Sequence, residues 1–279
     1  MIELQNVSLI YAGKTPFERH AIDDLSLKID EGSFTAIAGH TGSGKSSLVQ
    51  MISGLIDPTS GKIFVDEIDL AIKDRIKARD ARRKIGMVFQ YPEHQLFEET
   101  VELDIAFGAK NFGCDEVETL SRVKESMSLV GLDFEKFRNL APLELSGGQR
   151  RRVAIAGVLA LKPKYLILDE PTAGLDPSAR KSMLDEISKL HRKKNSTIIL
   201  ISHSMDDIAT LADRLIVLSH GKLVGDGSPR TIFGNKKILD QAGLARPRIS
   251  QLLEKIGIDS DAITIDEGID AILKTKGRR

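Results

Sequence analysis

Residues 34–50 read FTAIAGHTGSGKSSLVQ. An unbroken apolar run, FTAIAG, reads as a strand buried on both faces. A cluster of glycines follows, then a lysine and two serines. Beyond them Leu48, Val49, Ile52 and Leu55 fall at helical spacing. Gly39, Gly42, Gly44, Lys45 and Ser46 fit the pattern G-x-x-x-x-G-K-[ST], with His40, Thr41, Ser43 and Ser47 filling and closing the loop. Glycines let the backbone curl so that successive N–H groups point inward, and the helix that starts there adds its own unbonded N–H groups and positive dipole end. The result is an anion cradle, in which Lys45 adds a full charge for phosphates and the Ser46 hydroxyl can ligate Mg²⁺. A glycine-rich turn that merely caps a helix is the plainer reading. The buried strand before and the amphipathic helix after favour the cradle.

Working outward, LSLKI (25–29) alternates as a strand with one solvated face, and DPTSG (57–61) is a turn. KIGMVFQ (84–90), KYLILDE (164–170), STIILISH (196–203) and RLIVLSH (214–220) are short aliphatic runs that read as strands. SARKSMLDEISKLHRK and SMDDIATLAD are helical stretches between the later ones. Strands alternating with helices predict an α/β fold with a mainly parallel sheet. The block from 98 to 161 is mostly helical and interrupts that alternation, so it reads as an inserted helical subdomain. The tail after 235 reads as a small helical addition.

Asp169 and Glu170 close one of these strands. Two acids at the carboxyl end of a parallel strand lie where ligands bind in such sheets. Asp169 suits a Mg²⁺ held through water, and Glu170 suits a general base for an attacking water. Without the upstream loop they would read as solvated turn acids. His203 and Gln90 close two further strands, where an imidazole could orient a water and an amide could reach a metal. Each alone is unremarkable. Arg150, Arg151 and Arg152 read as a solvated helix face.

The chain has 279 residues, 40 basic and 40 acidic, so no bulk attraction to nucleic acid is implied. Its single cysteine, Cys114, excludes an intrachain disulfide and fits a reducing cytosol. The start, MIELQNVSLIY, lacks a signal-peptide pattern, and VAIAGVLAL is far short of the ~20 residues of a spanning helix.

LSGGQRRRVAIAGVLA (145–160), together with the glycine loop, LILDEPTAGLD and LISH, resembles the ATP-binding cassette family of ATPases. All its motifs occur in order across residues 2 to about 233. The resemblance implies a P-loop NTPase core, N-terminal antiparallel β elements, and ATP and Mg²⁺ as ligands. It implies that Tyr11 stacks on adenine, that residues 39–47 hold the phosphates, and that Gln90 senses nucleotide and touches a membrane subunit. Ser46, Gln90 and Asp169 would hold the metal. Glu170, His203 and Gln90 would serve catalysis. Ser146, Gly147, Gly148 and Gln149 would clasp the ATP of a second chain, with Asp176 reaching across the dimer. Without the resemblance, Tyr11 would read as a strand aromatic, and Asp176 before Pro177 as a helix cap, a role that can coexist with the one across the dimer.

TPFERHAIDDLSL, FQYPEHQLFEETVELDIAFGAKNFG and the helical tail are similar to the ATPases of energy-coupling-factor importers, and GHTGSGKSS with PEHQLFEETV to the second member of their heterodimeric pair. That implies a subunit driving import of vitamins, other micronutrients or metal ions. Its partners would be a paralogous ATPase or a second copy, a transmembrane T component and a substrate-binding S component. Its place would be the cytoplasmic face of the cell membrane. Residues 1–235 would form the nucleotide-binding domain and 236–279 a C-terminal dimerisation domain. Another cassette importer or exporter is the nearest alternative. A DNA-maintenance cassette would need a long insertion, yet Gln149 stands 20 residues before Asp169. A translation-associated cassette ATPase usually carries two cassettes in one chain.

Overall fold

A computed structural model describes residues 1–194 and 196–276; the last three residues of the expected C-terminal domain lie outside them. The chain divides into two compact units, residues 1–71 with 199–279, and residues 72–198.

The first unit opens with β1 (Ile2–Tyr11) and β2 (Arg19–Ile29), followed by β3 (Phe34–Ala38), α1 (Lys45–Ile52), β4 (Ser60–Val65) and β5 (Ile68–Asp69). β1, β2, β4 and β5 form an antiparallel sheet in the order β2-β1-β4-β5. Ile2 faces Ile29 on one side and Val65 on the other, and Leu4 faces Leu27 and Ile63. All six of these partners are buried, so one face of the sheet carries the apolar set. The register shifts around Asn6 and Asp24, both in the left-handed region at φ 48° and 49°.

The second unit holds α2 (Arg75–Arg83), β6 (Ile85–Val88), α3 (Val101–Asn111), α4 (Glu116–Leu129), α5 (Phe134–Phe137), α6 (Gly147–Leu159), β7 (Tyr165–Asp169) and α7 (Pro177–Lys194). β6 runs parallel to β7, Ile85 against Tyr165 and Val88 against Leu168. Val101, Ile105 and Ala109 of α3, Val123 and Met127 of α4, and Val153 and Ala156 of α6 are all buried. Gly157 of α6 faces the backbone of α3, where a Cβ would make ordinary contact, 3.9 Å from Asp104 O and Ile105 Cα.

β8 (Thr197–Ile201) carries the chain back into the first unit, which ends with α8 (Met205–Leu211), β9 (Arg214–Ser219), β10 (Lys222–Gly227), α9 (Pro229–Phe233), α10 (Lys236–Ala242), α11 (Arg248–Lys255) and α12 (Ile265–Lys276). β3 and β9 are parallel, Thr35 against Arg214 and Ala38 against Val217, and β10 returns antiparallel along β9. All five residues of β3 are buried, the burial its unbroken apolar run requires. Ala36, Ala38, Leu215 and Val217 share a core with Ile208 of α8, Ile232 and Phe233 of α9, Leu239 and Ala242 of α10, and Ile263. The fold is α/β, with parallel strands beside an antiparallel N-terminal sheet.

Candidate functional site

In the first unit β3 delivers the chain into the loop 39–44, from which α1 begins. Gly39, Gly42 and Gly44 adopt φ 154°, 82° and 107°. A Cβ on Gly39 would lie 2.2 Å from Leu218 O and 2.6 Å from Ser43 Oγ; one on Gly44 would lie 2.5 Å from Ala21 O. The loop is therefore packed against its own unit so tightly that only glycine fits. It is strapped further by Gly221 N donating to Ser43 O (3.0 Å).

Lys45 is buried, and its Nζ donates to Gly39 O (2.7 Å) and His40 O (2.9 Å). These bonds draw the ammonium back over the loop. Helices α2, α3, α4 and α6 start behind the side-chain caps Asp74, Thr100, Asp115 and Ser146. α1 starts behind Gly44 with no side-chain cap and no acid in its first turn. Its first N–H groups have no partner within the helix. A curled glycine backbone, an uncapped helix start and a buried ammonium form a donor set suited to an anion. A cleft of about 200 Å³ opens beside it, lined by Tyr11, Arg19, Ala21, Gly42, Gly44, Lys45, Ser46 and Ser47. Tyr11 ends β1, and its hydroxyl lies 3.3 Å from Ser47 Oγ. Arg19 is a second cation at this cleft that the sequence did not flag; 26 residues separate it from Lys45, and only the β1–β2 hairpin brings it there.

His203 follows β8 with an exposed edge. Partial burial first, and then the Lys45 charge, hold its imidazole below the ordinary histidine value. It is thereby kept neutral, able to donate from one ring nitrogen and accept at the other. Thus Tyr11, the loop 39–47 and His203 all belong to the first unit.

The second unit carries Gln90, Ser146 to Gln149, Asp169, Glu170 and Asp176. Asp169 ends β7 and Glu170 follows it in the left-handed region, φ 50°. A non-glycine residue held there stores roughly 1–3 kcal/mol of backbone strain. Asp176 Oδ1 accepts from Ser178 N (2.9 Å) and Ala179 N (3.0 Å), so it caps α7 with Pro177 in the first turn. Ser146 and Gln149 form a reciprocal capping box: Gln149 N donates to Ser146 Oγ (3.3 Å), and Ser146 N donates to Gln149 Oε1 (2.9 Å). The N–H groups left to meet an anion at that helix start are those of Gly147 and Gly148. In contrast to Gly39 and Gly44, a Cβ on either would meet no described atom within 4 Å.

Of the residues expected at the metal, Ser46 in the first unit offers a hydroxyl, and Gln90 and Asp169 in the second offer an amide and one carboxylate. Such hard oxygen donors with a single charge suit Mg²⁺ shared with phosphate oxygens better than a metal caged by protein alone. Among the described residues no group of three or more His, Cys, Asp or Glu side chains gathers as a metal cluster. A larger cleft of about 590 Å³ lies by Arg230, Asp261, Glu267 and Lys274, but Arg230 is already paired with Asp261 and Glu267, so it is no counterpart of the phosphate loop.

The expectation for Arg150 to Arg152 fails at Arg151. Its side chain is 3% exposed and forms a two-pronged ion pair with Glu93, Nε to Oε2 at 3.0 Å and Nη2 to Oε1 at 2.8 Å. Arg152 is partly buried and pairs with Glu186 (3.0 Å). The helix packs that side against its own unit, which a run of three cations does not reveal.

Residues 22–173 match the family model described as ABC transporter. The chain is 50% identical to the energy-coupling factor transporter ATP-binding protein EcfA2 of Clostridium tetani, over 98% of this chain and 96% of the relative. It is 47% identical to the EcfA2 of Enterococcus faecalis, again over 98% and 96%. Among solved structures it is similar to CbiO1 of Clostridium perfringens, part of the ABC transporter complex CbiONQ, with TM-score 0.76 and 35% identity over 91% of this chain and 98% of that one. It is also similar to the dimeric post-hydrolysis state of the ATP-binding cassette MJ0796 bound to ADP and Pi, with TM-score 0.72 and 30% identity over 82% and 99%.

Proposed function

The chain belongs to the ATP-binding cassette family of transport ATPases, and we propose that it is the ATP-hydrolysing, energy-coupling subunit of an importer of the energy-coupling-factor kind. Residues 39–47 bind the triphosphate through backbone N–H groups and Lys45, and Tyr11 stacks on the adenine. Mg²⁺, when bound, offsets the charge of the β- and γ-phosphates. Ser46, Gln90 and Asp169 would hold it. Glu170 accepts a proton from the attacking water at its carboxylate, and His203, neutral, orients that water against the γ-phosphate.

The observation that carries this reading is the contrast between the two glycine sites. Gly39 and Gly44 are demanded by atoms of their own chain, whereas Gly147 and Gly148 face open space. Open glycines at a helix start suit the close approach of an anion held elsewhere. The second chain's triphosphate fits that description, so each ATP is sandwiched between two cassettes. Asp176 then adds to the dimer contact while capping α7. Moving a dimer from mostly open to mostly closed takes ~5.5 kcal/mol of differential binding. Charged hydrogen bonds of about 1.5–3 kcal/mol each, made at two sites, can supply it.

The exposed surface supports such partners. Tyr91, next to Gln90 in the chain, and Phe97 and Phe107, packed edge to face at 4.9 Å, are exposed apolar residues that suit docking of a membrane T component. Ile265, Ile269 and Leu273 recur at four-residue spacing on α12 with 49–68% exposure, and residues 236–279 use them to hold a second cassette, a paralogue or another copy. Substrate choice, among vitamins, other micronutrients or metal ions, falls to a separate S component. Among the described residues no helix is long and apolar enough to cross a membrane. As the energy-coupling subunit of such an importer it works peripherally, at the cytoplasmic face, through its membrane partners.

Glu170→Gln tests the core of this reading. The variant should bind ATP and form ATP-dependent dimers by light scattering, yet lose hydrolysis by at least about a hundredfold. Normal turnover would remove Glu170 as the base.

A further inference from the structure

Arg151 sits on α6, two residues after the LSGGQ stretch, and its guanidinium reaches two segments of the second unit. Toward the segment after Gln90 it makes the paired bonds to Glu93. Toward the segment after Glu170 its Nη1 donates to Pro171 O (3.2 Å) and Ala173 O (2.6 Å). The ring of Tyr91 lies 5.8 Å from its Cζ, within range of a cation–π contact. Tyr91 in turn closes on the second segment from the other side, because a Cβ on Gly174 would stand 3.7 Å from its Cε1.

The two segments share a feature. Tyr91 and Glu170, the residues next to the Gln90 amide and at the proposed base, are both held in the left-handed region, at φ 56° and 50°. Such conformations persist only where surrounding contacts fix them. Within the Glu170–Leu175 stretch Ala173 N donates to Glu170 O and Leu175 N to Thr172 O. The carbonyls of Pro171 and Ala173 are met by Arg151. Burial raises the Glu93 carboxyl, but the Arg151 bonds, a loop N–H and the Arg151 charge outweigh it and hold it below the ordinary range, so the pair stays ionised near neutrality. A planar, two-pronged guanidinium fixes geometry in a way a lysine ammonium does not.

We propose that Arg151 is a positioning residue for hydrolysis: clamped by Glu93, it fixes the Pro171–Ala173 backbone and thereby the Glu170 carboxylate, so that the segment after Gln90 and the base move as one body. The proposal rests on the ATPase reading above. A push on residues 91–97 would then reach the base through one guanidinium, and nucleotide binding by the 39–47 loop would be untouched.

The test uses the assembled complex and measures kcat, KM for ATP and the affinity for a fluorescent ATP analogue. Arg151→Met should lower kcat by at least about tenfold, with KM and affinity within about twofold of the parent. Arg151→Lys should recover only part of kcat. Glu93→Gln should lower kcat in the same direction while leaving the two carbonyl bonds in place. In a Glu170→Gln background neither change should alter the residual rate by more than about twofold, because the group being positioned is gone. Unchanged kcat in Arg151→Met overturns the proposal, as does an equal fold-loss with and without Glu170. Should Arg151→Met fail to fold, the same two outcomes in Glu93→Gln overturn it. Normal turnover in Glu170→Gln alone removes the base assignment and this proposal together, whereas a dead Glu170→Gln beside an active Arg151→Met rejects the proposal only.

Discussion

Replacing Gly44 with alanine puts the phosphate loop to a quantitative test. Gly44 sits at φ 107°, and an added Cβ would lie 2.5 Å from Ala21 O and 2.7 Å from Ile22 Cδ1. The isoleucine terminus can rotate away. Ala21 O cannot, because it belongs to β2. Holding alanine at that φ costs roughly 1–3 kcal/mol, and forcing a methyl into a closed contact costs about 1–3 kcal/mol more. Each kcal/mol lowers Tm by roughly 2–4 °C for a chain of this size class, so the melting point should fall by about 4–24 °C. The assay is thermal unfolding with and without Mg-ATP. Ligand at 100 times Kd adds about 2.7 kcal/mol to the parent, or roughly 5–10 °C. The variant should show almost none of that gain, since the loop must shift to admit the methyl. Gly148→Ala is the control: its Cβ meets nothing, and alanine is the better helix former by about 0.5–1 kcal/mol. It should not lower the Tm of the single chain. A Gly44→Ala protein with the parent's Tm and full ATP shift would refute the reasoning.

Two other outcomes are expected. Native His203 lies below the ordinary histidine value of about 6.5, so as pH falls past that point the unfolded chain takes up a proton that the native state refuses, and stability is lost. Urea unfolding from about pH 7.5 down to 5.5 should therefore weaken the parent more than His203→Gln, and parallel losses would contradict the assignment. Ile269→Asp, on the exposed α12 stripe, should leave the Tm of the single chain within about 2 °C yet weaken cassette pairing at least tenfold in sedimentation; unchanged pairing would free that face from the dimer role.

The parts of the site that were legible in the sequence are those that backbone geometry confines to a short window. A strand-to-helix turn around phosphate needs its glycines, lysine and hydroxyl within a few residues, so 39–47 announces itself. LSGGQ does likewise at the start of α6, where the structure adds the Ser146–Gln149 capping box. β1 was not legible, because the bulge at Asn6 slips its alternation by a residue. α2 was not either: its buried residues are Ala78 and Ala81, too small to mark a face among so many cations. Arg19 and Arg151 were missed for a different reason. Arg151 meets Glu93 across 58 residues of chain, and nothing in a local window separates a buried, paired arginine from a solvated one.

Completion of each triphosphate by a neighbouring cassette is the central claim. Hydrolysis by the assembled complex, with Gly148→Asp here and the matching change in every other cassette present, measures this directly. Each subunit should still bind ATP through its own loop, while turnover falls by at least about a hundredfold as a carboxylate repels the γ-phosphate. Full-speed hydrolysis in that complex would contradict the claim.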